Sequence, residues 1–233
     1  MFKKTTLLTA LTAITSVGAA NAATISVSTT APTVDGSDQA NLVASTGGLS
    51  IYGDRPVQGQ TFTTSADAGQ SLLSLTVAIS EGTGTPDIFE GWKDYLVRFG
   101  TVDTLSSGTL TPIYEEVTRQ NDDLSLNDEH YHTFIFDTPI ALAANTTYAF
   151  DIGVAGSQNG WPDGIPSLRR SGDSYAGGQR YQGAQTNQAD TNYGINGTSG
   201  DILFHADIAV PEPGSLALLG LGGLMMIKRR RRA

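Results

Sequence analysis

Short alternations of apolar and polar residues recur through the middle of this 233-residue chain. In the segment SLLSLTVAIS, the side chains of Leu73, Leu75, Val77 and Ile79 fall on one face if the backbone is extended, because successive side chains of a strand point to opposite faces. The same spacing recurs at Tyr95, Val97 and Phe99, at Phe134 and Phe136, at Tyr148, Phe150 and Ile152, and at Ile202, Phe204, Ala206 and Ile208. Each segment therefore predicts a strand with one buried face.

Turn-forming residues separate these segments. Asp137-Thr138-Pro139 predicts the end of the strand that contains Phe134 and Phe136, Asn145-Thr146 predicts the entry to the next strand, and Pro211 predicts the end of the last one. Gly, Thr, Ser and Asn are frequent, and few runs would support a long amphipathic helix. The pattern predicts a single all-β domain over residues 23–209, folded as an antiparallel β-sandwich.

The N-terminus has the three parts of a secretory signal peptide. Lys3 and Lys4 are basic, residues 5–19 are uncharged, and Ala20-Asn21-Ala22 matches the A-x-A pattern that precedes cleavage. We therefore expect residues 1–22 to direct the chain to the Sec translocon. Removal by signal peptidase would leave Ala23 as the first residue of the mature chain.

The C-terminus combines a short motif, an apolar stretch and a basic cluster. The motif is Val210, Pro211, Glu212 and Pro213, and the basic residues are Lys228, Arg229, Arg230, Arg231 and Arg232. The 14 uncharged residues 214–227 between them would rise about 21 Å as a transmembrane helix, against roughly 30 Å for the hydrocarbon core of a bilayer. The basic cluster would stay in the cytoplasm and stop translocation. The segment favours transient insertion in the inner membrane, and a plain tail anchor is the alternative.

This order of features resembles the PEP-CTERM sorting signal of Gram-negative bacteria, with residues 210–213 as the recognition motif, and residues 210–233 as the whole signal. The resemblance covers about a tenth of the chain. It implies processing by an exosortase, an integral-membrane cysteine transpeptidase, and delivery to the cell surface or the exopolysaccharide matrix.

A second resemblance concerns the body of the chain. Residues 59–64 (GQTFTT), the strand that follows them, and residues 131–149 (YHTFIFDTPIALAANTTYA) resemble the jelly-roll domains of bacterial surface proteins with interchangeable C-terminal anchors. This resemblance covers about half of the body. It implies a jelly-roll-like sandwich that serves as a structural or binding module.

The body is strongly acidic once the two terminal signals are set aside. Two of the 14 Lys and Arg lie before Ala23 and five after Pro213, which leaves seven against 23 Asp and Glu and a net charge of about −16 for the chain from Ala23 to Pro213. Such a surface repels polyanions, so we expect no nucleic-acid partner. The chain has no Cys, which excludes disulfides and thiol catalysis.

Two acidic segments are candidate calcium sites, because Ca²⁺ prefers carboxylate and carbonyl oxygens. The first contains Asp122, Asp123, Asp128 and Glu129, and the second is Asp35-Gly36-Ser37-Asp38. Neither follows the spacing of an EF-hand loop. A solvated hairpin loop is the favoured interpretation of the first segment, and Ca²⁺ is the only cofactor that the sequence suggests.

Catalytic and zinc-binding patterns are weaker. His130 and His132 would share a half-exposed strand face, but two ligands do not complete a zinc site and nothing places His205 beside them. Glu90, Asp94, Glu115 and Glu116 are candidate carboxylates for glycoside hydrolysis, yet adjacent Glu115 and Glu116 would point to opposite faces of a strand. We expect no enzyme activity, with a secreted polysaccharide hydrolase as the less favoured alternative.

Aromatic residues are set among polar ones between residues 156 and 200. Trp161, Tyr175, Tyr181 and Tyr193 lie among Gly, Gln, Asn and Asp, together with Arg169, Arg170 and Arg180. Aromatic rings beside amides and carboxylates can stack on sugars and bind their hydroxyls. The alternative is that these tyrosines cover the edge of the sandwich. We therefore expect a structural or adhesive matrix protein, with a carbohydrate-binding module as the rival interpretation.

Overall fold

The computed structural model describes residues 23–51, 57–81, 92–104, 108–121, 129–154, 166–183 and 194–211, and every regular element in these ranges is a strand. The strands are β1 (Ala23–Ser28), β2 (Gln39–Asn41), β3 (Gly47–Ser50), β4 (Gln58–Thr63), β5 (Gln70–Glu81), β6 (Trp92–Val102), β7 (Gly108–Asn121), β8 (Glu129–Leu142), β9 (Thr147–Val154), β10 (Pro166–Ser171), β11 (Arg180–Gly183), β12 (Gly194–Gly197), β13 (Asp201–Ile202) and β14 (Phe204–Ala209). A helix with the length and apolarity to cross a bilayer is absent from these ranges. The predicted transmembrane segment 214–227 lies outside them.

The strands form two antiparallel sheets. The first sheet has the order β1-β8-β5-β10-β13, with β14 paired to β5 and β2, and with β3 paired to β10. The second sheet has six strands in the order β11-β12-β7-β6-β9-β4 and closes on itself, because β4 also pairs with β11. The predicted all-β antiparallel sandwich is therefore confirmed, and the jelly-roll resemblance is compatible with it.

Aromatic and aliphatic side chains fill the space between the sheets. Rings from both sheets meet there: Phe62 and Phe204 lie 6.2 Å apart between centroids, and Tyr114 and Phe136 lie 4.8 Å apart in an edge-on contact. The alternating residues predicted on β6, β9 and β14 are all buried in this core. Offset and edge-on ring pairs of this kind contribute about 0.5–1.5 kcal/mol each beyond the burial of their apolar area.

The start of β5 departs from simple alternation. Leu72 is buried in the core and Leu73 is partly exposed, because the pairing register with β8 shifts between Leu72 and Ser74. One extra residue in a strand inverts the side-chain parity on either side of it. The prediction that Leu73 faces the core is therefore wrong, whereas the predictions for Leu75, Val77 and Ile79 are confirmed.

The segment Asp137-Thr138-Pro139 does not end a strand, as the sequence had indicated, because β8 continues through it to Leu142. Pairing with β5 is irregular here, with Ile135 opposite Ser74 and Ile140 opposite Leu72. On the other side of β8, the register with β1 ends at Phe136. Pro139 therefore lies beyond the end of β1, where its missing N–H removes no bond to that strand. The predicted turn at Asn145 is confirmed, since its φ is 49°.

The histidines of β8 are interior residues. His130 and His132 do lie on one face, but their exposed fractions are 5% and 0%, so the predicted half-exposed face is wrong. The ring of His132 meets the ring of Tyr95 edge-on at 5.7 Å. This face is buried because the second sheet covers it.

Candidate functional site

A polar cleft lies where the loop after β10 meets the segment between β12 and β13. Its volume is about 600 Å³, which is within the usual range for small-ligand sites. The lining is rich in hydroxyl, amide and carboxylate groups and is formed by Asp173, Ser174, Tyr175, Ala176, Gly178, Gln179, Gly197, Thr198, Ser199 and Asp201. These residues belong to the polar region that the sequence indicated as a carbohydrate-binding candidate.

The buried carboxylate of Asp201 organises this cleft. One oxygen accepts hydrogen bonds from the backbone N–H groups of Ser174 and Tyr175, at 2.8 and 2.9 Å, and the other accepts from Gln60 Nε2 at 3.0 Å. Asp173 in turn accepts from the backbone N–H of Gly200. Two hydrogen bonds to Asp201 thus fix the loop that forms one wall, and the third ties Asp201 to β4.

Tyr175 forms part of this wall and is half-buried. Its hydroxyl donates to Gln39 Oε1 at 2.7 Å, and its ring meets that of Phe204 edge-on at 5.1 Å. Burial, and then the charge of Asp201, raises the pKa of Tyr175 well above its usual value, so the hydroxyl remains a donor. The ring is held from two sides and offers the cleft only part of its surface.

Thr198 provides a buried hydroxyl at the cleft. Its hydroxyl oxygen is buried and has no hydrogen-bond partner among the described residues, although Thr198 lines the cleft. Buried hydroxyls are normally hydrogen-bonded, since an unmade bond costs about 1–3 kcal/mol. A ligand hydroxyl or a water molecule in the cleft would satisfy this group.

Tyr181 does not lie at the surface, and this overturns its prediction as a carbohydrate contact. Its side chain is completely buried, and its hydroxyl donates to Asp151 Oδ2 at 3.2 Å. Asp151 also accepts from Arg98, with Nε to Oδ1 at 2.7 Å and Nη2 to Oδ2 at 3.0 Å. Burial opposes the charge of Arg98, but the Asp151 carboxylate outweighs this effect and holds the pKa of Arg98 above its ordinary value.

Tyr181, Asp151 and Arg98 belong to one row across the second sheet, on the face turned away from the first sheet. In register, Tyr181 lies opposite Gly59, Gly59 opposite Asp151, and Asp151 opposite Arg98. We call these four residues the polar row. Sequence reasoning missed it, although a single charge inside each of the apolar segments YLVRFG and YAFDIGV was a usable signal.

Two arginines of this region, Arg180 and Arg169, also bind groups within the protein. Arg180 is buried, donates from Nη1 to Gln58 Oε1 at 3.0 Å, and donates from Nε and Nη2 to the carbonyl of Ser199 at 3.0 and 2.9 Å. Arg169 donates from Nη1 to Ser80 Oγ at 3.2 Å. The sequence left open whether the arginines of this region pair with nearby carboxylates or engage acidic sugars, and the burial of Arg180 does not favour an acidic sugar. Its role is to hold the carbonyl of Ser199 in the cleft wall.

The second acidic segment, residues 35–38, is a loop that hydrogen bonds between Asp35 and Asp38 close. Asp38 Oδ2 accepts from the Asp35 backbone N–H at 2.8 Å and lies 2.9 Å from His205 Nε2, and Asp38 Oδ1 accepts from the Ile208 N–H at 2.9 Å. Burial, and then the charge of Asp38, raises the pKa of Asp207 beside this loop. Protein groups therefore already engage both oxygens of Asp38.

Of the remaining candidate carboxylates, the structure describes the side chains of Glu115 and Glu116. Glu115 is exposed and Glu116 is half-buried on the opposite face of β7, as the alternation predicted. No three His, Asp or Glu side chains in the described part of the chain are placed to hold one metal ion. Several predicted site residues lie outside the described residues, namely Glu90, Asp122, Asp123, Asp128, Trp161 and Tyr193. Asp94 and Glu129 lie within described strands, but the structure does not describe their side chains.

The C-terminal signal begins directly at the body. β14 ends at Ala209, and Pro211 lies over the turn before β5, where its Cγ is 3.0 Å from the place that a Cβ on Gly69 would occupy. Glu212, Pro213 and the basic residues Lys228 to Arg232 lie outside the described residues. The recognition motif thus begins at the residue after the last strand, and two of its four residues, Val210 and Pro211, are described.

Comparison with known protein families matches residues 209–232 to the PEP-CTERM protein-sorting motif. A comparison with curated proteins found no match. These matched residues contain the Pro-Glu-Pro motif, the apolar stretch and the basic cluster that the sequence indicated. The chain is therefore an exported protein with a PEP-CTERM sorting signal, anchored transiently at the cell envelope and sorted by exosortase.

Proposed function

We propose that the body of this protein has a structural or adhesive role at the cell surface or in the exopolysaccharide matrix. The observation that carries the proposal is the use of the buried charged groups. Asp38, Arg98, Asp151, Arg180 and Asp201 all bind other protein groups and thereby fix strands or loops. A rigid all-β body delivered by a sorting signal suits a role in which persistence outside the cell matters more than turnover.

The proposed route has two processing steps. The Sec translocon exports the precursor and signal peptidase cleaves after Ala22, and exosortase then recognises residues 210–213 while residues 214–227 are in the inner membrane. The spacing of the A-x-A pattern and the matched C-terminal motif support this route.

Intact mass of the native protein tests the route and the destination together. The protein should be isolated separately from the culture medium, the outer envelope and the inner membrane. A chain that begins at Ala23 and ends near Pro213, in the envelope or medium, is the expected result. A chain that retains Lys228 to Arg232 in the inner membrane would instead identify the tail as a plain anchor.

A carbohydrate-binding function is the second candidate, and the cleft around Asp201 favours it. Gln179, Ser199 and Asp173 are exposed polar residues on its walls, and the hydroxyl of Thr198 lacks a partner within the described residues. Such groups match the alternating donors and acceptors of a glycan. Recognition would depend on hydrogen bonding more than on ring stacking, since Tyr181 is interior and Tyr175 is only half-exposed.

Retention on immobilised exopolysaccharide from the host tests this candidate. Gln179→Ala should reduce retention several-fold if the cleft binds glycan, and Ser37→Ala is the matched control because Ser37 lines a separate cleft beside His205. Trp161→Ala tests the aromatic prediction in the same assay. Equal retention of all variants and wild type would assign retention to another surface, and no retention would exclude this polysaccharide as the ligand.

Two further assays test the alternatives that the sequence left open. Calorimetric titration with Ca²⁺ tests the segment that contains Asp122, Asp123, Asp128 and Glu129, and a melting temperature unaffected by chelation would argue against a structural ion. Release of reducing sugar from the same polysaccharide, lost on substitution of a single carboxylate, would instead establish a hydrolase.

A further inference from the structure

The backbone nitrogen of Ala23 contacts a carboxylate on the opposite sheet. Ala23 begins β1, the edge strand of the first sheet, and its nitrogen lies 2.9 Å from Glu116 Oε2 on β7 of the second sheet. The two residues are 93 positions apart in the chain. This contact therefore ties the edge strand of one sheet to a central segment of the other.

Other groups hold the same residue in place. Thr118 Oγ1, also on β7, donates to the carbonyl of Ala23 at 3.2 Å. The hydroxyl of Tyr114 donates to the same Oε2 atom of Glu116. The Tyr114 ring packs edge-on against Phe136, which is the register partner of Ala23 on β8. Both ends of Ala23 are thus bound by alternate residues of β7.

The chemistry of this site suits an amine better than a peptide N–H. A peptide N–H offers Glu116 one neutral donor, whereas an α-ammonium offers three donors and a positive charge. Charge-assisted bonds of an ammonium to a carboxylate are about twice as strong as neutral ones. The site is half-buried, so solvent screens the pair less than it would on an open surface.

We propose that Glu116 and Tyr114 form a binding site for the α-ammonium group that cleavage after Ala22 creates. Removal of the signal peptide would then complete the fold, because the new N-terminus forms an ion pair that fastens β1 to the second sheet. The inference rests on the proposed signal-peptide cleavage. The proposed site also requires the mature chain to begin at Ala23, since one additional residue would move the amine by about 3.3 Å along the strand.

Four full-length precursors test the site: wild type, an insertion of one Gly between Ala22 and Ala23, Glu116→Gln, and the two changes combined. Each exported protein is purified, its N-terminus is established by intact mass, and its melting temperature is measured. In the wild-type background the insertion should lower the melting temperature by about 2–4 °C, the shift expected for about 1 kcal/mol in a chain of this size. In the Glu116→Gln background it should have no further effect.

Glu115→Gln is the control variant, because Glu115 is the adjacent carboxylate on the other face of β7. Whatever Glu115→Gln itself does to the melting temperature, the decrease caused by the Gly insertion should remain the same in this background. A second readout is acylation of the α-amine in purified protein, with Lys93 as the only other amine between the two terminal signals. The α-amine should react several-fold faster in Glu116→Gln than in wild type.

The outcomes separate the two proposals. A native chain that begins at a residue other than Ala23 refutes the cleavage and, with it, the site. A native chain that begins at Ala23 agrees with the proposed cleavage. The site is then overturned if the insertion lowers the melting temperature equally in both backgrounds, or does not lower it at all. It is also overturned if the α-amine reacts equally fast in wild type and Glu116→Gln.

Discussion

The two faces of β6 and β9 differ in chemistry, because the face towards the first sheet lies in the aromatic core and the other face buries an ion pair. Tyr95, Val97 and Phe99 face the first sheet and lie in the aromatic core. Arg98, between Val97 and Phe99, faces away from the first sheet and joins Asp151 in the polar row. Both faces are buried. The first sheet covers the aromatic face, and the closure of the second sheet on itself encloses the face that carries the polar row.

The aromatic core and the polar row specify the structure in different ways. Apolar side chains tolerate exchange for others of similar volume, since dispersion and the hydrophobic effect are weakly directional. The polar row depends on particular atoms, because a buried charge without its partner is costly. We therefore expect the polar row to be sensitive to single changes and the aromatic core to be sensitive chiefly to lost volume.

The largest expected effect comes from breaking the buried ion pair. Asp151→Leu leaves Arg98 buried without its carboxylate, and we expect a loss of about 3–5 kcal/mol in the free energy of unfolding. Urea denaturation measures this loss. The double variant Arg98→Met/Asp151→Leu should recover most of it, because no unpaired charge remains. Equal loss in the single and double variants would show that packing, not charge, governs the polar row.

The next effect lies in the aromatic core and depends on pH. Burial, and then the charge of His130, lowers the pKa of His132 to about 4, against an ordinary value near 6.5. Between these pH values the unfolded chain binds a proton that the folded chain excludes, so stability falls as the pH decreases from 6.5 to 4. The total is on the order of 3 kcal/mol.

His132→Phe should remove this part of the acid sensitivity. Neither ring nitrogen of His132 has a hydrogen-bond partner among the described residues, so an apolar ring forfeits no bond seen there. Urea denaturation at several pH values would show a flatter slope between pH 4 and 6.5 than in wild type. An unchanged slope would assign the acid sensitivity to other groups.

A smaller effect is expected where the polar row is tightest. A Cβ on Gly59 would lie 2.2 Å from Tyr181 Cζ and 2.6 Å from the carbonyl oxygen of Phe150. Gly59→Ala should therefore cost about 1–3 kcal/mol through overpacking. Gly172→Ala is the control, since nothing lies within 4 Å of its added Cβ. Similar melting temperatures for the two variants would contradict the close packing of Tyr181 over Gly59.

The smallest effect should come from Tyr175→Phe at the margin of the aromatic core. The change removes the hydrogen bond to Gln39 and keeps the ring against Phe204, so we expect a loss of about 0.5–1.5 kcal/mol. Thermal denaturation measures it. Retention on exopolysaccharide should not change, because the hydroxyl is engaged within the protein. A loss of retention with unchanged stability would identify Tyr175 as a ligand contact.

Alternation along the chain was sufficient to predict most strands, because the period of two is a local property that burial of one face imposes. It failed at Leu73, where a bulge depends on how β5 pairs with β8. It also could not place Tyr181, whose burial results from the pairing of β11 with β4, more than 100 positions away in the chain. The sorting motif was predictable because its three parts follow one another along the chain and depend on no tertiary contact.

The position of β14 has a consequence for the order of events during export. This strand pairs with both β5 and β2, and its Phe204 contacts the rings of Phe62, Phe150 and Tyr175. In a chain exported N-terminus first, this strand would be the last to appear, immediately before the sorting signal. The sandwich would therefore close only after nearly the whole body has been exported, and sorting would follow a nearly finished fold.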